Sequence, residues 1–277
     1  MTVVADAIAQ GRMPGRLWFY SNFHCNLACT YCLTESAPRS PRRELGAERI
    51  LDLARQAVEL GFTDFGVTGG EPFLLPDLPG LLIELGQLRP TVALSNGTVL
   101  GPERLTRLAP LAELPVAIQI SLDAPTPERN DDLRGPENFA KVLDAIPRLV
   151  DLGIRVRVAT TVEPDRLSPA EHEELCALVR SLGVADDDHI FRPVIRRGRA
   201  ADTGMGVTFA HHQIPAELTV SADGAFWSPF GPTVRDGRVA TDLLITRTVE
   251  PLERPAAALA GLVGGLPDGH DANIGIR

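Results

Sequence analysis

No apolar run in the chain approaches the roughly 20 residues needed to span a bilayer. A basic excess is also missing. The net charge is −9, which argues against a non-specific nucleic-acid or membrane-surface binder. The first dozen residues contain Asp6 and lack a basic start before a long apolar run, so no secretory leader is expected. Cysteine is scarce, at four in 277 residues, and residues 196–277 contain none. Hydrophobic content of 44% and charged content of 23% are ordinary for a soluble globular protein, and the length suits one or two domains.

Three of the four cysteines crowd into one stretch, Cys25-Asn26-Leu27-Ala28-Cys29-Thr30-Tyr31-Cys32. A disulfide pair here would leave a neighbouring thiol free. Zinc held with His24 as a fourth ligand is possible, although structural zinc sites usually draw on two separated pairs. A cluster on four cysteines would need the distant Cys176. A cubane on three thiolates, with one iron left open, is the other option. Free clustered thiols also fit a reducing cytosol, so a cytoplasmic location is expected.

Around this loop, apolar strand-like runs alternate with helix-like segments. Leu17-Trp18-Phe19-Tyr20 reads as a first strand, with the cysteines at its C-terminal end. Helical spacing over Ala47 to Leu60 stops at Gly61, and Asp64 to Thr68 is a second strand. The alternation continues with helices at Leu78–Leu88, Glu103–Leu111, Asn138–Leu152 and Pro169–Leu182. Strands fall at Val92–Leu94, Val116–Ser121, Val156–Val162 and His189–Ile195. Six strands joined by helical crossovers require a parallel sheet. A full barrel needs eight units and about 250 residues, so six give an incomplete barrel. Ligands of such sheets sit at the C-terminal strand ends.

The cysteine spacing, with an aromatic residue before the last cysteine, resembles the radical S-adenosylmethionine (SAM) superfamily. Gly69-Gly70-Glu71-Pro72, Ser95-Asn96-Gly97-Thr98 and Ser121-Leu122-Asp123 follow in the family's order, each after a strand-like run. The resemblance covers about residues 16–200. It implies the same fold, a partial (β/α)6 barrel, with one [4Fe-4S] cluster on Cys25, Cys29 and Cys32. It further implies SAM contacts from Tyr31, Gly69, Gly70, Glu71, Pro72, Ser95, Asn96, Ser121 and Asp123, and from the sixth strand at Val194. Arg134 is a candidate for the SAM carboxylate, with a solvated loop arginine as the plain alternative.

The expected organisation is a lead-in over 1–15, the α/β partial barrel over 16–200 and a small α+β extension over 201–277. Leu218 to Trp227 reads as a hairpin about an Asp-Gly turn, which resembles a SPASM or twitch extension without its cluster cysteines. Arg192, Arg196, Arg197 and Arg199 offer either an anion-binding group or a linker. Cys176 is expected to pack as an apolar residue on a helix. His211 and His212 are adjacent, would point apart on a strand and form no shared metal site.

The resemblance implies reductive cleavage of SAM to a 5′-deoxyadenosyl radical, then hydrogen abstraction from a small molecule in cofactor or natural-product biosynthesis. An external electron donor such as flavodoxin or ferredoxin is implied. Peptide epimerisation or crosslinking is the alternative substrate class. A metal-binding or iron–sulfur sensor module without catalysis is the alternative of another kind.

Overall fold

The computed structural model describes residues 2–163, 166–210, 213–235 and 238–264; His211 and His212 lie outside the described residues. The chain opens with helix α1 (Val3–Ala9), capped by Thr2, whose side chain accepts the Ala5 N–H. Strand β1 (Arg16–Tyr20), helix α2 (Ala47–Leu60) and strand β2 (Asp64–Thr68) follow. Then come α3 (Leu78–Leu88), β3 (Thr91–Ser95), α4 (Pro102–Leu108) and β4 (Val116–Ser121). Next are α5 (Pro127–Arg134), α6 (Asn138–Asp151), β5 (Arg155–Val162), α7 (Pro169–Ser181) and β6 (His189–Pro193).

Strands β1 to β6 pair in sequence order and all run parallel. The six-strand alternation read from the sequence is therefore present, in an open sheet with β6 at one edge. The ends differ by a residue or three. Helix α4 stops at Leu108 and continues as a 3-10 turn over Ala109–Glu113. Strand β6 ends at Pro193 rather than Ile195. Helix α5 is an addition. Its sequence, PERNDDLR, carries no apolar stripe, so hydrophobic periodicity does not reveal it.

The remaining elements are α8 (Arg199–Asp202), β7 (Thr219–Ser221), β8 (Gly224–Phe226), β9 (Val234–Arg235), β10 (Arg238–Val239), β11 (Leu244–Thr246) and α9 (Glu253–Val263). The β7–β8 hairpin adds to the free edge of β1, with β7 parallel to β1, and β11 extends the sheet beyond β8. The result is nine strands in the order β11-β8-β7-β1-β2-β3-β4-β5-β6.

The two faces of the sheet have different company, because side chains alternate along a strand. Leu17, Phe19, Phe65, Val67, Ile118, Ile120 and Val158 face the helices and join one large apolar core with Leu53, Leu82 and Leu149. Trp18, Val92 and Ala117 form a separate small cluster on the other face. No described helix is long and apolar enough to cross a membrane.

Candidate functional site

The cysteine loop leaves β1 at Tyr20 and is tied to the end of β2. The Ser21 N–H donates to Thr68 O at 2.8 Å, and the Gly70 and Glu71 N–H groups donate to Asn22 O and His24 O. The loop and the glycine pair lie so close that side chains are excluded. A Cβ on Gly69 would stand 2.5 Å from Asn22 O, and one on Gly70 would stand 2.2 Å from His24 O. Glycine here is a packing requirement of the loop–strand junction.

Cys25, Cys29 and Cys32 all line one cavity of about 190 Å³ at the C-terminal ends of the strands. N–H groups point at the first sulfur: Leu27 N lies 3.4 Å and Asn96 Nδ2 3.7 Å from Cys25 Sγ. Cys29 Sγ lies 3.7 Å from Arg134 O, and Cys32 Sγ 3.5 Å from Thr34 Oγ1. Burial pushes the Cys25 thiol up to about 12 and the Cys29 thiol upward as well. These sulfurs carry negative charge readily only when a positive centre replaces the lost hydration. They wall the cavity rather than meet at a point. Among the described residues, no three His, Cys, Asp or Glu side chains are grouped to hold a single metal ion.

Tyr31, Gly69, Gly70, Ser95, Asn96 and Ser121 share this cavity with the cysteines, while Glu71, Pro72, Asp123 and Val194 do not line it. Glu71 stands behind the wall and is fully buried. Its carboxylate accepts from Phe73 N at 3.0 Å, Ser95 Oγ at 3.0 Å and Asn96 N at 2.6 Å. Burial raises its pKa to about 7 against the opposing pull of those donors. It positions two cavity residues and presents no atom to the cavity. Pro72 is buried at the start of a 3-10 turn over Pro72–Leu74. Val194 lies just past β6 and lines a second cavity of about 120 Å³ together with Asp123, Tyr31 and Thr161.

Tyr31 and Thr161 wall both cavities. Beside them, Arg134 Nη1 pairs with Asp123 Oδ2 at 2.8 Å, both side chains being almost wholly buried. The Tyr31 hydroxyl donates to the same Asp123 oxygen and accepts from Arg134 Nη1. The other Asp123 oxygen accepts the Thr161 N–H at 2.8 Å. Burial drives the Tyr31 phenol well above its ordinary range, so it stays protonated. Arg134 is therefore a buried ion-pair partner, not a solvated loop residue.

Two buried asparagines beside the site carry no signal of their own in the sequence. Asn130 Oδ1 accepts the Asp123 N–H at 3.0 Å, and Asn130 Nδ2 donates to Asn138 Oδ1 at 2.8 Å. Asn138 in turn donates to Asn96 O at 3.4 Å. A buried polar chain thus runs from Asn96, beside Cys25, to Asp123. Thr126-Pro127-Glu128 is the signal that could have found it: a threonine, then proline in the first turn of a helix, marks the start of α5.

The four arginines do not act together. Arg197 pairs with Asp242 at 2.6 Å and Arg196 donates to Gly206 O at 2.7 Å. Arg199 grips the cysteine loop, donating Nε to Cys29 O at 2.8 Å and Nη2 to Ser36 O at 2.6 Å. Of these four, it is Arg192 that lines the cavity. Cys176 also departs from expectation. Its neighbours Leu175 and Val179 are buried on α7, but Cys176 is half-buried, with His172 Nδ1 at 3.9 Å from its sulfur.

The sequence matches the radical SAM superfamily over residues 21–179. It is 32% identical over 145 residues to a probable GTP 3′,8-cyclase of Archaeoglobus fulgidus, covering 52% of this chain and 47% of that one. It is 33% identical over 162 residues to the mycofactocin maturase MftC of Mycobacterium tuberculosis, covering 58% and 40%. The chain thus spans less than half the length of either relative. In fold it resembles Streptococcus suis SuiB bound to precursor peptide SuiA, with a TM-score of 0.58 at 21% identity over 70% of this chain and 43% of that one.

Proposed function

Because the chain belongs to the radical SAM superfamily, which matches more than half of it, we propose that it reductively cleaves SAM and abstracts hydrogen from a small molecule in cofactor or natural-product biosynthesis. The observation that carries this reading is the placement of all three loop thiols on one cavity at the C-terminal end of a parallel sheet. The residues present fit the cofactor. Three soft sulfur donors wall a space, N–H groups point at Cys25 Sγ, and the facing strand turn is held to glycine by close backbone approach.

Cys25, Cys29 and Cys32 hold the [4Fe-4S] cluster in this reading. Bound there, cluster and SAM together would supply a one-electron cut of a carbon–sulfur bond and so a radical able to take a hydrogen atom from substrate. The chain's own residues bind, orient and exclude water. The Gly69 and Gly70 backbone, Ser95 and Asn96 offer polar groups on the cysteine side of the cavity. Glu71 keeps Ser95 and Asn96 in place, and Pro72 fixes the turn behind them. Tyr31, Ser121 and Asp123 serve the nucleoside portion, with the Val194 backbone on the far side of Tyr31. Trp18, Leu94, Ile195 and Phe230 supply apolar wall, which keeps water from a reactive radical.

Residues 16–200 form the catalytic unit in this reading, and 201–277 an extension without cluster ligands. Pro229 and Phe230 on the cavity wall support a role for the extension in shaping the pocket. An external donor such as flavodoxin or ferredoxin supplies the electron, and the cytoplasm is the compartment that keeps the thiols reduced. A peptide substrate is the second reading. It draws on the fold shared with SuiB, whose structure contains the precursor peptide SuiA.

Electron paramagnetic resonance of the anaerobically reconstituted, dithionite-reduced protein tests the site. A reduced-cluster signal that changes on SAM addition, and is absent in Cys29→Ala, supports it. A signal indifferent to saturating SAM leaves an iron–sulfur module without this chemistry.

A further inference from the structure

The cavity has two arginines on its wall, and among the described residues one of them is in an ion pair and the other is not. Arg134 is matched by Asp123 at 2.8 Å. Arg192, on β6, donates Nε to the neutral Thr161 hydroxyl at 3.0 Å. Among the described residues it forms no ion pair, and neither Nη nitrogen has an acceptor. The contrast within the fold is plain: Arg16, Arg43, Arg155 and Arg197 each pair with an aspartate at 2.5–2.9 Å. Burial of a guanidinium with no ion-pair partner is unfavourable and lowers the Arg192 pKa, although the charge of nearby Asp123 pulls the other way. Its free end fits both oxygens of a carboxylate.

The cysteine side of the cavity already has its own polar groups in Ser95 and Asn96, with Asn96 reaching Cys25 Sγ. Arg192 is anchored instead to Thr161, one strand over on β5. The wall it shares with Trp18, Leu94, Ile195 and Phe230 is largely apolar. We propose that Arg192 is a specificity-determining residue that receives the carboxylate of a small organic acid with an apolar body, which is the substrate class of this cavity. This inference rests on the radical SAM reading of the same site.

The test uses reconstituted holoprotein saturated with SAM, titrated by calorimetry with 3-phenylpropionate and with its uncharged amide as probes. The carboxylate is expected to bind at least about tenfold more tightly than the amide, as a charge-assisted two-point contact gives. Arg192→Gln should erase that preference, Arg192→Lys should keep part of it, and SAM affinity should change by less than about twofold in both. Equal binding of acid and amide by the parent protein overturns the proposal, as does an acid preference that survives in Arg192→Gln. Arg192→Gln that weakens SAM at least about tenfold also overturns it, and assigns the guanidinium to the carboxylate of SAM itself. Failure to bind SAM at all in the parent protein would instead strike the underlying reading, so the two failures are distinct.

Discussion

Arg199 Nε donates to the carbonyl oxygen of Cys29 at 2.8 Å, across 170 residues of sequence. Two further contacts reinforce the grip: the Arg199 N–H donates to Cys32 O at 3.0 Å, and Nη2 donates to Ser36 O at 2.6 Å. Gly198 makes the approach possible. Its φ is +54°, and a Cβ there would lie 2.5 Å from both Cys32 O and Leu33 O. Cysteines 29 and 32 thus owe their placement in part to a segment that follows β6.

Arg199→Ala should therefore loosen the loop without touching a sulfur. Two charge-assisted hydrogen bonds of about 1.5–3 kcal/mol each are lost. The expected outcome is a lower iron content after desalting and faster bleaching of the cluster absorbance in air, with Arg199→Lys partly restoring both. Iron retention equal to the parent's would show that the clamp is dispensable.

Asp123 neutralises Arg134 inside the protein, and removing it strands a buried guanidinium. Breaking one side of such a pair typically costs about 3–5 kcal/mol. Asp123→Ala should lower the thermal midpoint by several degrees, and Asp123→Asn by less, since the amide oxygen still accepts from the Thr161 N–H or Tyr31. Thermal unfolding of the cluster-free proteins checks the order of the three.

His189 gives the fold a pH dependence. Thr160 Oγ1 donates to Leu122 O at 2.7 Å, so it accepts from His189 Nε2 at 2.8 Å. Burial, with His172 nearby, depresses the His189 pKa to about 4 from the usual 6.5. The unfolded chain therefore binds this proton more readily than the folded one. Its contribution is fully present above pH 6.5 and is lost as pH falls toward 4. Allowing for partial exposure, the span is about 1–2 kcal/mol. His189→Gln should flatten the stability curve between pH 6.5 and 4, and urea midpoints measured across that range would show it.

Gly70→Ala probes the junction of loop and strand. The new Cβ would meet His24 O at 2.2 Å, a backbone atom that cannot swing aside. The cysteine loop must shift, and SAM affinity of the reconstituted protein is expected to fall at least about tenfold. Unchanged affinity by calorimetry would separate this junction from the cofactor site.

The sequence carries the repeated part of the fold openly. Helix Ala47–Leu60 ends at a left-handed Gly61, and β2 runs from Asp64 to Thr68, both where periodicity and glycine place them. Local signals of this kind depend on neighbours a few residues away. Helix α5 lacks such a signal because polar contacts from Asn130 and Arg134 anchor it, not an apolar face. Partnerships across the sheet are equally silent: nothing near Arg134 points to Tyr31, 103 residues earlier. In the run from Arg192 to Arg199, four arginines look alike in sequence and reach four different destinations. Ser95, Asn96 and Ser121 are named by the family resemblance, and they meet on one cavity because a parallel sheet gathers its strand ends together. The resemblance names Glu71 as well, but its place behind Ser95 and Asn96 depends on tertiary packing.

The central claim is that the three loop cysteines support cleavage of SAM. The most direct measurement is 5′-deoxyadenosine release by the anaerobically reconstituted protein given dithionite and SAM, beside Cys29→Ala. The account predicts iron and sulfide at about four each per chain and nucleoside product from the parent only. A protein that takes up zinc in place of iron and releases no 5′-deoxyadenosine would contradict it.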